Sequence, residues 1–204
     1  MSSDRRPYAF AVWLTGLPAS GKSTIAGALE AMLAKRGVRA VVLESDDLRR
    51  LFTPKPRYDL PERDRFYGAL AELARLLWEN GVPVLVAATA NRRAYRDRAR
   101  AGIPEFLEVL VDCPLEVCVA RDPKGIYRRS ADGSAPNVPG VSAAYEPPLR
   151  PEVVVDGARD PAGLSARKIL FALAWRGYLT GTGYRGRRRG RANRCRGLPR
   201  TRRR

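Results

Sequence analysis

The sequence predicts an α/β fold in which a parallel β-sheet carries helices on both faces. Short apolar runs rich in Val and Leu recur along the chain and alternate with stretches of helical periodicity. The runs lack polar alternation, as expected of strands buried on both faces. A glycine-rich loop also lies directly between the first run and the first helical stretch, the strand–loop–helix order of a phosphate-binding unit.

The first strand is predicted over Tyr8 to Leu14 and the first helix over Ile25 to Lys35. Between them, Gly16 to Thr24 reads G-L-P-A-S-G-K-S-T, which fits G-x-x-x-x-G-K-[ST]. A triphosphate requires successive backbone N–H groups to converge on its oxygens, and glycine permits the dihedrals and close approach this needs. Gly16 and Gly21 supply that freedom around Leu17, Pro18, Ala19 and Ser20. Lys22 can place its charge on the β- and γ-phosphates, the hydroxyl of Ser23 can ligate Mg²⁺, and Thr24 opens a helix whose N-terminus favours anions. The fold class narrows to a P-loop NTPase or kinase, with a nucleoside triphosphate and Mg²⁺ expected at the loop.

A second strand, Ala40 to Leu43, leads into E-S-D-D-L-R-R, Glu44 to Arg50. Phosphoryl transfer uses a carboxylate near the acceptor hydroxyl or the metal, and cations against the anionic substrate. Asp46 and Arg49 are the candidates, although acids at the first turn of a solvated helix would look the same. Thr53 to Pro61 holds three prolines and reads as a surface loop. A helix over Glu62 to Glu79, a strand over Val82 to Ala87, a helix over Arg92 to Ala101, a strand over Phe106 to Val111 and a helix over Leu115 to Arg121 follow. Asp122 to Pro151 is irregular and proline-rich, a candidate lid over bound nucleotides or else an unstructured insertion. The pattern closes with a strand over Val153 to Val155 and a helix over Ala162 to Trp175. Ligands of such a sheet collect beyond the carboxyl ends of its strands.

With 204 residues, 45% of them hydrophobic, the chain suits one compact domain, residues 1–180, followed by a tail. The formal net charge of +17 is unevenly spread: residues 181–204 contain 11 Arg and no acid, leaving +17 − 11 = +6 for the rest. That tail has few apolar residues, is expected to lack a fold of its own, and is suited only to non-specific contact with polyanions. Three cysteines without metal-ligand or redox spacing and the absence of histidine exclude a Cys/His zinc site and a Ser/His or Cys/His catalytic pair. The reading is a reduced, cytoplasmic protein. Tyr8 to Leu14 is of strand length with no cleavage pattern behind it, and no apolar stretch approaches the ~20 residues that span a bilayer.

Further segments carry a family resemblance: L-P-E-R-D-R at Leu60 to Arg65, R-A-Y-R-D-R-A-R at Arg93 to Arg100, F-L-E-V-L-V-D-C-P-L-E-V-C-V-A-R-D-P-K at Phe106 to Lys124, V-P-G-V at Val138 to Val141 and Y-E-P-P at Tyr145 to Pro148. With the phosphate loop, they resemble adenylylsulfate kinase, which phosphorylates the 3′-hydroxyl of adenosine 5′-phosphosulfate (APS) with MgATP. The resemblance runs from about Tyr8 to Asp156. It implies ATP phosphates on Gly16 to Thr24, Lys22 stabilising the transferred charge, and Ser23 on Mg²⁺. It places Asp46 beside the acceptor hydroxyl and metal, with Glu44 at the position of a companion acid. It implies further that Arg49 and Arg65 hold the phosphosulfate through planar guanidinium groups. Lys124 would close from the lid, and Arg121 would reach the ATP base or phosphates. A homodimer is implied as well.

Four departures accompany the matches. Two phenylalanines that sandwich the APS adenine in the family are read here as Leu60 and Val138, an aliphatic clamp. The family's asparagine after the second arginine is read as Gly68. The serine of its S-P-Y-R element is Ala90, so no phosphoserine can form there. Aromatic stacking contributes about 0.5–1.5 kcal/mol per pair beyond burial, which leaves open a kinase acting on another small nucleotide- or sugar-linked anion. A reading of a different class is a non-catalytic nucleotide-binding module with a polyanion-binding tail.

Overall fold

The computed structural model describes residues 9–53 and 55–179. The arginine-rich segment 181–204 and Tyr8, the first residue of the expected strand, lie outside that range. Five strands form one parallel sheet: β1 (Ala11–Thr15), β2 (Val41–Glu44), β3 (Val84–Ala87), β4 (Phe106–Asp112) and β5 (Val153–Asp156). Their order is β2-β3-β1-β4-β5. β1 is central, with Ala11 in register with Val84 on one side and Phe106 on the other. Such a strand meets no solvent on either face, and all five residues of β1 are buried. This is why its sequence is uniformly apolar up to Thr15.

Alternation of side chains divides the core between the two faces. Val12 and Leu14 pack with Ile25, Leu29 and Leu33 of helix α1 (Lys22–Ala34) and with Ile169 and Leu173 of the last helix, α7 (Ala162–Trp175). Ala11 and Trp13 pack with Phe66, Leu70 and Ala74 of α3 (Leu60–Glu79) and with Tyr95 and Ala99 of α4 (Arg93–Gly102). The expected two-sided α/β sheet is therefore the observed one. Among the described residues no helix is long and apolar enough to cross a membrane.

Two helices stand where irregular chain or only a helix start was expected. α2 (Ser45–Phe52) follows β2 without a loop. It is short, its apolar residues Leu51 and Phe52 stay exposed, and Arg49 is its one buried residue. Within the expected lid, after α5 (Leu115–Arg121), lies α6 (Ile126–Ala131). Asp122 starts it by accepting from the backbone N–H groups of Ile126 at 2.7 Å and Arg128 at 3.0 Å. Six residues present too little periodicity to be read as a helix.

The chain leaves β1, visits β2 and β3 on one side, then crosses to β4 and β5 on the other. Strand order thus reverses at β1, and the loop that leaves its carboxyl end sits at that switch point.

Candidate active site

That loop is Gly16 to Thr24. Gly16 has φ 152° and Gly21 φ 101°, with Ala19 also left-handed at 61°. A side chain at Gly16 would place its Cβ 2.5 Å from the Val111 carbonyl oxygen, so the loop is pressed against β4. Gly157, just past β5, closes the loop from the other side, where a Cβ would lie 2.5 Å from the Ser20 oxygen. Lys22 curls over the loop and donates to the carbonyls of Leu17 at 2.7 Å and Gly16 at 3.1 Å, and to Ser20 Oγ at 3.4 Å. Burial lowers the Lys22 ammonium to about 8, while Asp46 and other nearby groups pull it back upward. A multiply charged anion in the loop would supply the missing counter-charge.

A cavity of about 920 Å³ opens above the loop, within the range of small-molecule sites. At its mouth the Ser23 hydroxyl donates to Glu44 Oε2 at 2.8 Å. Burial raises the Glu44 carboxyl above its usual range, with the Ser23 hydrogen bond opposing. Two residues on, Asp46 Oδ2 accepts from Lys124 Nζ at 2.5 Å, a contact that joins α2 to the lid. The hydrogen bond to Asp46 raises the Lys124 ammonium further above its ordinary value.

The lid is held down on the loop. Tyr127 of α6 donates its hydroxyl proton to the Pro18 carbonyl at 2.9 Å, and Val138 is buried with Cys113, Cys118 and Leu17 beneath it. Arg121 donates to the carbonyls of Gly157 at 2.7 Å and Ala158 at 3.2 Å, presenting its guanidinium at the cavity wall.

The far end of the cavity is built by α2 and α3. Arg49 is 6% exposed and its Nη1 donates to Glu62 Oε1 at 2.5 Å. Its guanidinium lies 3.8 Å from the centre of the Phe66 ring and 5.0 Å from that of Tyr58. Arg63 donates from Nε to the Tyr58 carbonyl at 2.9 Å, from Nη1 to Asn91 Oδ1 at 2.9 Å, and from Nη2 to the Asn137 carbonyl at 2.5 Å. Of the five N–H donors of a guanidinium, those bonds engage three and leave two outside the hydrogen bonds among the described residues.

Two expectations are corrected here. Leu60 is 59% exposed, Arg65 is exposed, and neither lines the cavity. Tyr58 and Arg63 line it instead. The reason is helical periodicity. Asp59 caps α3 by accepting from the Glu62 N–H at 2.9 Å, and the buried face then runs through 62, 63, 66, 67 and 70, leaving 60 and 65 outside. The apolar stripe Phe66-Tyr67-Leu70 already carried this signal, since three and four residues back from it stand Glu62 and Arg63. Gly68 also lies outside the cavity lining, against the Arg98 side chain. The cavity wall takes in Lys22, Ser23, Asp46, Arg49, Lys124 and Val138 together, with Pro18, Ala19, Gly21, Thr24 and Arg121. Gly16, Leu17 and Ser20 shape the loop from behind.

A phosphate loop with a half-buried lysine, an oxygen-rich mouth, a lid and a second cationic pocket within one cavity define a nucleotide-binding phosphotransferase of the P-loop class. The family follows from its relatives. Residues 8–156 match the adenylylsulphate kinase family. The adenylyl-sulfate kinase of Shewanella amazonensis is 38% identical over 170 residues, covering 82% of this chain and 86% of that one. That of Pseudomonas aeruginosa is 36% identical over 174 residues, covering 84% and 89%. In three dimensions, the Mycobacterium tuberculosis APS kinase solved with AMPPNP and APS superimposes with a TM-score of 0.77 at 32% identity, over 82% of this chain and 99% of that one. The chain belongs to the adenylylsulphate kinase family, and it is an enzyme of that type.

Proposed function

We propose that this enzyme transfers the γ-phosphoryl group of ATP to the 3′-hydroxyl of APS, giving 3′-phosphoadenosine 5′-phosphosulfate and ADP. The observation that carries this reading is the two-ended cavity: an anion cradle with Lys22 at one end, an aromatic and guanidinium pocket of Tyr58, Arg49 and Arg63 at the other, and the Asp46–Lys124 pair between them.

The backbone of the loop and Lys22 hold the triphosphate, and Lys22 follows the charge that builds on the transferring group. Arg121 offers a flat cation to the ATP base. Ser23 Oγ with the Glu44 and Asp46 carboxylates forms an all-oxygen cluster that suits Mg²⁺, an ion that needs only one or two carboxylates when phosphates supply further ligands. Bound there, the ion would neutralise phosphate charge during transfer. Asp46 accepts the acceptor hydroxyl's proton, and Lys124, released from Asp46, turns to the incoming anions. The ring of Tyr58 receives the acceptor base, and the remaining donors of Arg63 receive its phosphosulfate.

Taking Arg63 in place of Arg65 shifts the family comparison by two residues in this segment. Tyr58 then stands at the position of the first clamping phenylalanine and Phe66 at that of the asparagine. The acceptor clamp becomes one aromatic, Tyr58, and one aliphatic, Val138, which favours APS over an acceptor without a base. Residues 181–204 form an accessory tail in this reading.

The test is a coupled ADP-release assay with MgATP and APS, with the nucleotide product identified by mass. APS-dependent formation of the 3′-phosphorylated product is expected. ATP turnover on another acceptor, with none on APS, overturns the assignment.

A further inference from the structure

Arg63 is held by three hydrogen bonds, and one of its partners, Asn91, is not part of the cavity wall. Asn91 is 4% exposed and stands just past β3. Its Oδ1 accepts from Arg63 Nη1 at 2.9 Å, and its Nδ2 donates to the Ala144 carbonyl at 2.8 Å. Its backbone oxygen accepts from the Glu146 N–H at 2.7 Å. One residue therefore ties an arginine of α3 to the strap that carries the chain from the lid back towards β5.

The peptide before Asn91 is itself clamped. Ala90 has φ 39°, in the left-handed region that a β-carbon disfavours. Its N–H donates to the Tyr67 hydroxyl at 3.2 Å, and its carbonyl accepts from Arg96 Nη1 at 2.5 Å. Arg96, 1% exposed, also donates from Nε to Glu108 Oε1 at 2.6 Å and from Nη2 to the Glu146 carbonyl at 2.7 Å. Strain of this kind persists only where the surroundings over-determine it. Here they aim the Asn91 amide with one end on Arg63 and the other on the strap.

We propose that Asn91 is a positioning residue that sets acceptor specificity: it fixes the orientation of the Arg63 guanidinium and couples it to the 144–146 strap. The proposal rests on the assignment of Arg63 to the acceptor end of the cavity. With one Nη1 hydrogen and the Nη2 contact to Asn137 fixed, the two remaining donors of Arg63 point in one set of directions instead of several, and an anion meets a preformed site.

The test uses the full chain with Asn91→Leu, which keeps side-chain bulk without polar groups, and Asn91→Ala as the second variant should the first fail to fold. With MgATP and APS, either substitution is expected to raise the acceptor KM by about tenfold to a hundredfold, the range for losing a hydrogen bond to a charged group. The ATP KM should stay within about twofold. In an Arg63→Ala background, the same substitution should add less than about twofold, because its effect passes through Arg63. An equal rise in both KM values, or full multiplication of the two effects, overturns the proposal. Hydrogen–deuterium exchange of the peptide containing Glu146 provides a readout independent of the acceptor. Asn91→Leu and Asn91→Ala should each quicken it several-fold, and unchanged exchange overturns the coupling to the strap. If the unaltered enzyme makes no product from APS, the assignment of function falls by that result, and the exchange experiment alone decides whether Asn91 couples to the strap.

Discussion

Glu62 holds the acceptor end of the cavity together, and Glu62→Ala measures by how much. The carboxylate is 4% exposed and accepts from Arg49 Nη1 at 2.5 Å, from the Tyr58 N–H at 2.9 Å and from the Arg57 N–H. Its removal leaves a guanidinium that is 6% exposed with no carboxylate and frees two backbone donors. Breaking a buried pair from one side costs about 3–5 kcal/mol. A domain of this size loses about 2–4 °C of Tm per kcal/mol, so the expected fall is about 6–20 °C in a thermal scan followed by circular dichroism. Glu62→Gln keeps an oxygen acceptor but no charge, and should fall by less. Glu62→Ala combined with Arg49→Met removes both charges and should be more stable than Glu62→Ala alone, since the uncompensated cation is then gone. A fall below about 3 °C for Glu62→Ala, or a double variant that simply sums the two losses, would refute the view that a desolvated charge pair organises this pocket.

Three further expectations concern the chemistry. The ammonium of Lys22, lowered to about 8, loses its proton as pH rises through that value in the nucleotide-free enzyme, so ATP affinity should weaken above pH 8, by about tenfold at pH 9 relative to pH 7. Calorimetric titration should show proton uptake on binding in that window, and Lys22→Met should abolish both. The stability sign is opposite: between about 8 and its unfolded value of 10.5 the unfolded chain binds more protons at Lys22 than the folded one, so this residue's destabilising contribution fades as pH rises. Asp46→Asn breaks a solvent-exposed ion pair and should leave Tm within about 2 °C, while kcat falls by at least about a hundredfold. Near-normal turnover would remove Asp46 from the mechanism. Arg63→Ala and Tyr58→Ala should each raise the acceptor KM about tenfold or more, whereas Arg65→Ala and Leu60→Ala should change it less than twofold; the reverse pattern in steady-state kinetics would reinstate the positions first read from sequence.

The sequence was most legible where one physical effect dominated. Val and Leu runs without alternation marked buried parallel strands, and α5 and α7 lie where their periodicity put them. The phosphate loop was legible because only glycine tolerates Gly16 against Val111 and the left-handed turn at Gly21. The acceptor end was less so. Arg49, Glu62 and Arg63 are buried charges, which pattern reading assigns to solvent, and they go inside only because each finds a partner from another segment. Tyr58 is held at φ 56° by Glu62 and Arg63, contacts that no local propensity encodes. Asn91 gave no signal at all, since its two amide bonds reach residues 28 and 53 positions away.

The central place of β1 also bears on how the enzyme comes into being. The strand that launches the phosphate loop is synthesised first, yet both of its neighbours arrive late, β3 at Val84 and β4 at Phe106. At a synthesis rate of about 5–20 residues per second, the ribosome delivers the second neighbour some 5–20 s after the first strand. Until β3 emerges Ala11 to Leu14 have no sheet neighbour to join, and until β4 emerges they have only one. The nascent chain must therefore carry β1 with one sheet edge open until β4 has emerged, and until then the phosphate loop lacks the Val111 backbone against which Gly16 is pressed.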